Sequence, residues 1–478
     1  MSTTRALAHN TLIQFIGKAV GTVLALFAST LLFRYLGPSE YGKFHIILTI
    51  VQLSGIIGDL GLYLIVLNDI SHPKRESNHV LSQHFMFRMY LNAMYLLIMA
   101  AVALVAPYES AIRLGIFLMS FSNIFIWLSQ IFQTVFQKHL VSSRSALSEI
   151  IGRGVLLLAT ILMMRFQVGL VPLTITVVAG NCAQFFLSWL LARKYIDFTW
   201  RVDASYIIGV LSRTWPVAVC IWFHLLYFKA DSIILSWYVS DYEVGIYGMP
   251  YRIIETLVTL PLVFMGLLFP ILNDAYGRGS KEAFRFHMQS GFDALAIMSA
   301  PLIFGTPVLA KSIVLLLGGS EFLPSAPVLS ILMIGVYMMF IGSIFAHTVI
   351  TVSSQKTMIK YYAILAAFMI VLNIALIPRY SYFAAAWLTA LGEVVMFSAA
   401  FVVVWKKTHF VPRVSVLVKS IISAILMAGA LYFIRPANGV FHNASLFIAL
   451  PLSLVLYGGI LYAIGGVKKE TVREVMRF

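Results

Sequence analysis

Long apolar runs separated by short polar connections dominate the hydrophobic pattern of this chain. A helix needs roughly 20 apolar residues to cross the hydrocarbon core of a bilayer, and about fourteen runs approach or reach that length. They lie near residues 10–33, 44–67, 85–106, 112–136, 150–164, 170–192, 215–239, 247–271, 291–317, 327–351, 361–377, 383–405, 414–434 and 444–465. No connection exceeds roughly 25 residues, so none holds a soluble domain. The pattern predicts an all-α membrane protein with about fourteen transmembrane helices.

The composition supports the same class of protein. The chain has 478 residues, of which 60% are hydrophobic and 11% are charged, and its mean hydropathy is +0.91. A soluble protein is nearer half apolar and a quarter charged, so the surplus apolar surface must face lipid. The net charge of +15 does not indicate nucleic-acid binding, because the basic residues occur in short clusters between apolar runs. The two cysteines provide neither a disulfide framework nor a metal-binding spacing.

The basic residues concentrate in alternate connections. One set of connections, with the C-terminal tail, contains Lys74, Arg75, Lys138, Arg144, Arg193, Lys194, Arg201, Arg278, Lys281, Arg285, Lys356, Lys360, Lys406, Lys407, Arg413, Lys468, Lys469, Arg473 and Arg477. The other set contains few, such as Arg113, Arg165 and Arg435. Basic connections stay on the cytoplasmic side of a membrane. The chain is therefore predicted to lie in the cell inner (plasma) membrane with both termini in the cytoplasm.

A weak internal repeat divides the chain into two lobes. GPSEYGKF at 37–44 aligns with SDYEVGIY at 240–247, and RFQVGLV at 165–171 aligns with RYSYFAA at 379–385. Both members of each pair face the same side, which indicates a parallel repeat about an axis along the membrane normal; chance similarity is the alternative. The predicted domains are an N-terminal six-helix lobe, a C-terminal six-helix lobe, and two further helices with a cytoplasmic tail, at 1–200, 201–408 and 409–478.

Three stretches carry a resemblance to a known family. RYLGPSEYGKF at 34–44 resembles its first periplasmic turn, KADSIILSWYVSDYEVGIYGMPYRIIETL at 229–257 the start of its second lobe, and EFLPSAPVLSIL at 321–332 its turn into the tenth span. With this helix count, the chain is similar to the polysaccharide or oligosaccharide-lipid flippases (O-antigen-type, Wzx-like) of the multidrug/oligosaccharidyl-lipid/polysaccharide exporter superfamily. It departs from them at 378–385, where PRYSYFAA stands in place of the glycines that often follow the proline.

The resemblance implies a V-shaped pair of six-helix lobes around a central cavity, with two added C-terminal helices. It also implies that the protein flips a polyprenyl-pyrophosphate-linked glycan to the periplasmic or outer leaflet. Nothing in the sequence demands an oligomer, so a monomer is expected. The family works by alternating access, generally coupled to an ion gradient, so H+ or Na+ and no other cofactor is expected. Polysaccharide-assembly proteins are expected partners besides the lipid bilayer.

Charged residues inside the predicted spans are expected to have a structural or functional role, because placing each one in the bilayer core costs about 2.5–3.5 kcal/mol on insertion scales. The predicted cationic lumen residues, which would bind the substrate's pyrophosphate, are Lys18, Arg88, Lys229 and Arg252. Snorkelling to the membrane interface is the alternative for Lys18 and Arg88. A structural ion-pair network with Asp231 and Glu255 is the alternative for the other two.

The acids inside the predicted spans are candidates for ion coupling: Asp59, Asp231, Glu255, Asp293 and Glu393. Arg252 and Glu255 are three residues apart and share one helix face, whereas Lys229 and Asp231 are two apart and do not. For Asp59, which ends the second span in the stretch GDLGL, an interfacial carboxylate is the alternative. The sequence does not rank these acids.

Uncharged polar residues recur at helical spacing on two spans. Gln130, Gln133 and Gln137 form one stripe on the fourth span, and Asn181 and Gln184 form another on the sixth. Hydrogen bonding between helices explains such stripes. A lumen surface that binds sugar hydroxyls is the alternative.

Three other functions remain open at this point. A lipid II flippase has the same number of spans, whereas multidrug or toxin extruders of the superfamily usually have twelve. A membrane glycosyltransferase or polymerase would need a sizeable extramembrane loop carrying acids or bases, and this chain has none. The chain also lacks a GxxxxGK[ST] phosphate-binding loop, so it is predicted not to hydrolyse ATP. The sequence therefore predicts a transporter and not an enzyme.

Overall fold

The computed structural model describes residues 3–62, 66, 69–70, 77–139, 141–196, 203–436, 439–441 and 443–467, and every regular element in these ranges is helical. The long helices are α1 (Thr3–Ser54), α2 (Ser77–Val105), α3 (Ser110–Lys138), α4 (Ser142–Arg165), α5 (Leu170–Ala192), α6 (Ala204–Tyr238), α7 (Asp241–Leu257), α8 (Thr259–Gly277), α9 (Lys281–Gly318), α10 (Ser325–Thr351), α11 (Gln355–Thr408), α12 (Ser415–Ile434) and α13 (Asn443–Ala463). A short helix, Ile56–Asp59, follows α1, and 3-10 turns at Arg193–Tyr195 and Ser320–Phe322 follow α5 and α9. The predicted all-α class is confirmed.

Some of the basic residues that predict the orientation lie outside the described residues: Lys74, Arg75, Arg201, Lys468, Lys469, Arg473 and Arg477. The orientation of the chain in the membrane stays a prediction.

Twelve helical stretches in the described ranges are long and apolar enough to cross a membrane. Two of them are long enough to cross twice, because α1 has 52 residues and α11 has 54, whereas one crossing needs roughly 20. Each is interrupted once, α1 at Gly37 and α11 at Ser381. With each interrupted helix counted as two crossings, the structure agrees with the roughly fourteen spans that the hydrophobic pattern predicts.

The interruption of α1 follows from its local sequence. Gly37 has φ 65° and ψ 177°, which glycine adopts at low steric cost because it has no β-carbon. Pro38 comes next, and a proline suits the first turn of a helical segment because its missing N–H would have no intrahelical partner there. The break in α11 falls on Ser381, with φ 49°, inside the PRYSYFAA stretch. A serine there carries backbone strain that a glycine would not.

Contacts divide the chain into two compact units, Met1–Gly245 and Ile246–Phe478. In the first unit, helices approach closely at small residues. A β-carbon on Gly152 of α4 would lie 2.9 Å from the carbonyl oxygen of Gly180 in α5, and the reverse distance is 2.8 Å. Close approach at small residues is typical of membrane helices, whose association depends on van der Waals packing.

The two aligned turns of the predicted repeat meet within the first unit. A β-carbon on Gly42 would lie 1.9 Å from the carbonyl oxygen of Asp241, and one on Gly245 would lie 1.9 Å from the carbonyl oxygen of Pro38. Gly42 aligns with Gly245 in the repeat, and Pro38 aligns with Asp241. The contact is therefore reciprocal, and each turn depends on a glycine to make it.

In the second unit, α12 and α13 pack against α9. The apolar cluster that joins them consists of Ala300, Leu309, Ala424, Met427, Leu431, Phe441, Leu446, Ala449, Tyr457 and Leu461. The hydroxyl of Tyr457 donates to the carbonyl oxygen of Ile297 at 2.8 Å. The two C-terminal helices are thus part of the second compact unit. The predicted domain boundaries at residues 200 and 408 rest on the sequence repeat and stay predictions.

The surface of the helices is unusually apolar. Leu104, Val105 and Phe433 are 76%, 81% and 86% exposed, and many other large hydrophobic side chains are at least half exposed. In water, each Å² of exposed apolar surface would cost about 25 cal/mol of free energy. This exposure agrees with helices that face lipid.

Candidate functional site

Arg88 lies at the centre of a buried polar cluster in the first unit. Its side chain on α2 is 0% exposed. Nη2 donates to Oδ1 of Asp59 at 3.1 Å, and Nη1 donates to Oε1 of Gln130 at 2.8 Å. Nη1 also donates to the carbonyl oxygen of Trp127 on α3. Arg88, Asp59 and Gln130 therefore lie together, although the sequence predicts a cationic, an ion-coupling and a polar lumen role for them.

The burial of Arg88 decides between two of its interpretations. A side chain with 0% exposure does not snorkel to the membrane interface, so that alternative is wrong. Asp59, which is 25% exposed, compensates the charge from one side. The guanidinium of Arg88 thus links α2 to α3 and to the short helix Ile56–Asp59. Substrate binding by Arg88 stays a prediction, and it requires a state in which this cluster opens.

A second buried cluster, which the sequence analysis did not nominate, lies near the same face of α2. The hydroxyl of Tyr206 donates to Oδ2 of Asp69 at 2.9 Å and lies 3.2 Å from Nε2 of His84. Asp69 and His84 are 3% and 1% exposed. His84 precedes Arg88 by four residues on the helix, so a polar i,i+4 spacing in an apolar run is the signal that could have found it.

The start of α6 positions Tyr206 in this cluster. Oδ1 of Asp203 accepts hydrogen bonds from the amides of Ser205 at 3.0 Å and Tyr206 at 3.1 Å, which caps the helix. The hydroxyl of Ser205 and the amide of Tyr206 hold the pKa of Asp203 below its ordinary value. The amide of Asp203 in turn donates to Oε1 of Gln83 on α2 at 2.7 Å. Side-chain and backbone bonds thus fasten the start of α6 to α2.

The variant Tyr206→Phe is expected to destabilise the protein by about 1–3 kcal/mol, because it removes a hydrogen bond to a buried carboxylate. The change is measured as a fall in the thermal unfolding temperature of the full chain in detergent. Tyr90→Phe is the matched control, since the Tyr90 side chain on α2 is 61% exposed. Equal unfolding temperatures for the two variants would contradict the assigned hydrogen bond.

Lys18 pairs with Glu149 in the first unit. Nζ of Lys18 on α1 lies 3.0 Å from Oε1 of Glu149 on α4, and the side chains are 43% and 19% exposed. The sequence does not indicate this pair, because 131 residues separate its two members. Unlike Arg88, Lys18 keeps a large part of its side chain exposed. The side of the helix bundle that it faces stays a prediction.

Lys229 and Asp231 are both buried on α6, with 4% and 2% of their surfaces exposed. Oδ1 of Asp231 accepts a hydrogen bond from the amide of Ser232 at 2.6 Å. The Lys229 ammonium lies 5.7 Å from the centre of the Phe228 ring, within the range of a cation–π contact. Burial in protein lowers the cost of these charges relative to lipid exposure.

Arg252 and Glu255 form an ion pair on α7 in the second unit. Nη1 of Arg252 lies 2.9 Å from Oε2 of Glu255, and the side chains are 27% and 15% exposed. The prediction that they share one helix face is confirmed. A joint cluster of this pair with Lys229 and Asp231 stays a prediction.

The two remaining acids have different surroundings in the second unit. Oδ1 of the half-buried Asp293 on α9 accepts a hydrogen bond from Nε2 of Gln289 at 2.9 Å. Glu393 on α11 is 6% exposed. It packs against α10, where a β-carbon on Gly335 would lie 3.6 Å from its Cγ. Glu393 is therefore the more deeply buried carboxylate.

The uncharged polar stripes take part in helix packing. Gln130 accepts from Arg88, and a β-carbon on Gly152 of α4 would lie 2.8 Å from Cβ of Gln184 on α5. Asn181 is 5% exposed, and Gln133 is half-buried. A sugar-binding role for these residues stays a prediction. In the described part of the chain, no three His, Cys, Asp or Glu side chains are arranged to hold a metal ion.

Comparison with known proteins assigns this chain to a family. Residues 31–327, more than half of the chain, match the model of a family described as polysaccharide biosynthesis protein. The chain belongs to this family. The resemblance that the sequence motifs indicate is thereby confirmed. The polysaccharide biosynthesis family match ends within α10.

One curated relative of this polysaccharide biosynthesis protein is the probable flippase AglR of Haloferax volcanii. The two are 22% identical over 248 residues, which is 52% of this chain and 52% of the relative. The chain thus matches only about half the length of that protein.

Solved structures share the fold of this family member at low sequence identity. The lipid II flippase MurJ in an inward closed conformation has a TM-score of 0.76 and 14% identity, over 95% of this chain and 99% of that chain. An inward-facing MATE multidrug transporter of the MOP superfamily has a TM-score of 0.64 and 12% identity, over 89% and 100%. The MATE multidrug transporter DinF-BH has a TM-score of 0.64 and 17% identity, over 86% and 97%.

These matches establish the general class of the molecule. The chain is a multi-pass membrane protein with the fold of MOP-superfamily transporters. The matched proteins are described as flippases and transporters, and the prediction that the chain is not an enzyme agrees with them.

Proposed function

We propose that this protein flips a polyprenyl-pyrophosphate-linked oligosaccharide from the cytoplasmic to the periplasmic or outer leaflet, for assembly of a cell-surface polysaccharide. The observation that carries the proposal is the polysaccharide biosynthesis family match over residues 31–327, in a chain that folds like a lipid II flippase. The relative described as a probable flippase supports the same class of transport.

The distribution of exposed cations supports an anionic substrate. Lys18 and Arg252 retain 43% and 27% of their side-chain exposure, whereas Arg88 and Lys229 are buried. A cation in a partly desolvated site attracts a pyrophosphate more strongly than the same cation in bulk water. Lys18 in the first unit and Arg252 in the second are therefore proposed, each separately, as contacts for the substrate's pyrophosphate.

The proposed transport is alternating access driven by H+ or Na+. Asp231 in the first unit and Glu393 in the second are separate candidates for an ion site, since they are the most deeply buried of the five predicted carboxylates at 2% and 6% exposure. In proteoliposomes, either an imposed proton gradient or an imposed sodium gradient should accelerate flipping. A flipping rate that responds to neither gradient would rule out ion coupling.

The proposed setting is the inner membrane, with both termini in the cytoplasm, a monomeric chain and polysaccharide-assembly proteins as neighbours. The alternation of basic connections along the sequence supports this orientation. A reporter enzyme that needs the periplasm, fused after Phe478, should be inactive. An active fusion would place the C-terminus in the periplasm and contradict the predicted orientation.

The decisive experiment is to delete the gene and identify the polyprenyl-linked lipids that accumulate in the host membrane by mass spectrometry. Accumulation of one completed oligosaccharide on polyprenyl pyrophosphate, with loss of the surface polymer, is the expected result. Complementation with the wild-type gene should remove the accumulated lipid and restore the polymer. A deletion that leaves all polyprenyl-linked lipids unchanged would overturn the proposal.

Two other substrates are supported by the fold comparison. Lipid II is the first, because the MurJ structure matches with a TM-score of 0.76. Accumulation of lipid II in the deletion strain would move the assignment to it. Cationic drugs are the second, because MATE transporters match with TM-scores of 0.64. Drug sensitivity without a change in lipids would favour an extruder.

The variant Lys18→Gln is expected to slow flipping at least about tenfold, because it removes one charge-assisted contact with the pyrophosphate. Glu149→Gln breaks the same ion pair but leaves the ammonium in place, so it is expected to change the rate less than about threefold. The measurement is the flipping rate in proteoliposomes at equal protein content. Equal losses in the two variants would assign Lys18 a structural role instead.

A further inference from the structure

A basic pocket in the second unit lies where the start of α9 meets the segment 409–414 between α11 and α12. Its volume is about 410 Å³, within the range of small-molecule sites, and it is lined by Arg285, Phe286, Gln289, His409, Val411 and Arg413. These residues belong to two different basic connections of the sequence. None of them belongs to the predicted substrate or ion sites.

The pocket is held in shape by hydrogen bonds to the backbone of segment 409–414. Nε2 of Gln289 donates to the carbonyl oxygen of Arg413 at 2.9 Å, and the amide of Arg413 donates to Oε1 of Gln289 at 2.7 Å. Arg285 reaches the carbonyl oxygen of His409 at 3.5 Å. Phe410, which is 5% exposed, anchors the segment in the protein. These contacts thus hold segment 409–414 against the start of α9.

Two arginines give this pocket its positive charge. Among the described residues, neither Arg285 nor Arg413 forms an ion pair with a carboxylate. Asp293, which follows Gln289 by one turn, accepts a hydrogen bond from that glutamine. Lys406 and Lys407, near the end of α11, are exposed and lie outside the pocket lining. The pocket therefore favours an anion with several acceptor oxygens.

The flank of the pocket is apolar and exposed. Phe286, Val411 and Val414 are 66%, 61% and 53% exposed, and Trp405 at the end of α11 is 44% exposed. Tryptophan and lysine at the end of a transmembrane helix are typical of the membrane interface. A soluble anion would satisfy the arginines but leave these apolar side chains uncovered. A ligand with both a phosphate and acyl chains would satisfy both parts.

We propose that this pocket binds one anionic phospholipid, with its phosphate between the guanidinium groups of Arg285 and Arg413 and its acyl chains along Phe286 and Val411. Basic pockets between transmembrane helices on the cytoplasmic side are suited to such headgroups. The charge pattern predicts that both connections lie on that side, where the inner leaflet supplies the lipid. The bound lipid joins α9 to the segment between α11 and α12 and so stabilises the second unit.

The test uses the full chain, purified free of lipid and titrated in native mass spectrometry with phosphatidylglycerol or phosphatidylcholine of identical acyl chains. The wild type is expected to bind the first phosphatidylglycerol about tenfold more tightly than phosphatidylcholine. The double variant Arg285→Gln/Arg413→Gln is expected to lose this preference. Lys406→Gln/Lys407→Gln is the matched control, since it removes the same charge outside the pocket lining and is expected to retain the preference.

A second pair of variants keeps the test valid if the arginine variant folds poorly. Phe286→Gln/Val411→Gln alters side chains that are mostly exposed, so the fold should persist. It is expected to weaken phosphatidylglycerol binding while leaving binding of soluble glycerol phosphate unchanged. Equal loss of preference in the arginine and lysine variants would overturn the site. Displacement of phosphatidylglycerol by glycerol phosphate or inorganic phosphate at equal concentration would show a site for soluble anions and overturn the lipid assignment.

Discussion

Replacing Gly42 with alanine is expected to cost at least about 3 kcal/mol of stability and to abolish flipping, because one added methyl group has no room. The new β-carbon would lie 1.9 Å from the carbonyl oxygen of Asp241 and 2.8 Å from its carbonyl carbon. Both atoms belong to the backbone, which does not rotate away as a flexible side chain can. The two turns would have to separate.

Thermal unfolding of the full chain in detergent and restoration of surface polymer in the deletion strain measure this effect. Gly154→Ala is the matched control, since no atom beyond its chain neighbours and the adjoining backbone of α4 lies within 4 Å of a β-carbon built there. That change should be neutral or slightly stabilising, because alanine has the higher helix propensity by about 1 kcal/mol. Wild-type behaviour of Gly42→Ala would refute the close approach of the two turns.

Gly245 is the equivalent glycine on the other side of this contact. Gly245→Ala should behave like Gly42→Ala, since its β-carbon would lie 1.9 Å from the carbonyl oxygen of Pro38. The double variant should lose less than the sum of the two single losses, because the first substitution already separates the turns. Fully additive losses would mean that the two glycines act at independent contacts.

Removing Arg88 is the second substitution with a large expected effect. Arg88→Met is expected to destabilise the protein by about 3–5 kcal/mol, because it leaves the carboxylate of Asp59 without its buried partner. Asp59→Leu should be similarly costly, since it strands a guanidinium with 0% exposure. The double variant Arg88→Met/Asp59→Leu should lose less than either single variant, because no uncompensated charge remains.

The exposed pair Arg278 and Asp274 is the control for this cycle. Its side chains are 75% and 59% exposed at a distance of 2.9 Å, nearly the same as in the buried pair. Arg278→Met is expected to change stability by less than about 1 kcal/mol, since water already screens the pair. Unfolding temperatures in detergent compare the two. A loss for Arg88→Met as small as for Arg278→Met would contradict the burial of the first cluster.

Features that depend on neighbouring residues could be predicted from the sequence. The number of spans follows from the length of apolar runs, and the break in α1 follows from Gly37 and Pro38. The shared helix face of Arg252 and Glu255 follows from their spacing of three residues. The aligned turns of the repeat also identify Gly42 and Gly245 as equivalent positions.

Features that depend on helices distant in the chain could not be predicted. The partner of Lys18 is 131 residues away, and Tyr206 reaches Asp69 across 137 residues. The burial of Arg88 was also missed, because an arginine near a helix end has the same sequence signal whether it snorkels or packs inside.

The sequence by itself determined that this protein is an all-helical membrane protein with about fourteen spans, because the bilayer thickness sets the length of every apolar run. It also indicated the family through the turns near Gly42 and Gly245. Only the tertiary structure decided which charges are paired, which are buried, and that two basic connections meet around Arg285 and Arg413. The physical reason is that hydrophobic length is a local property, whereas ion pairing depends on which helix faces meet.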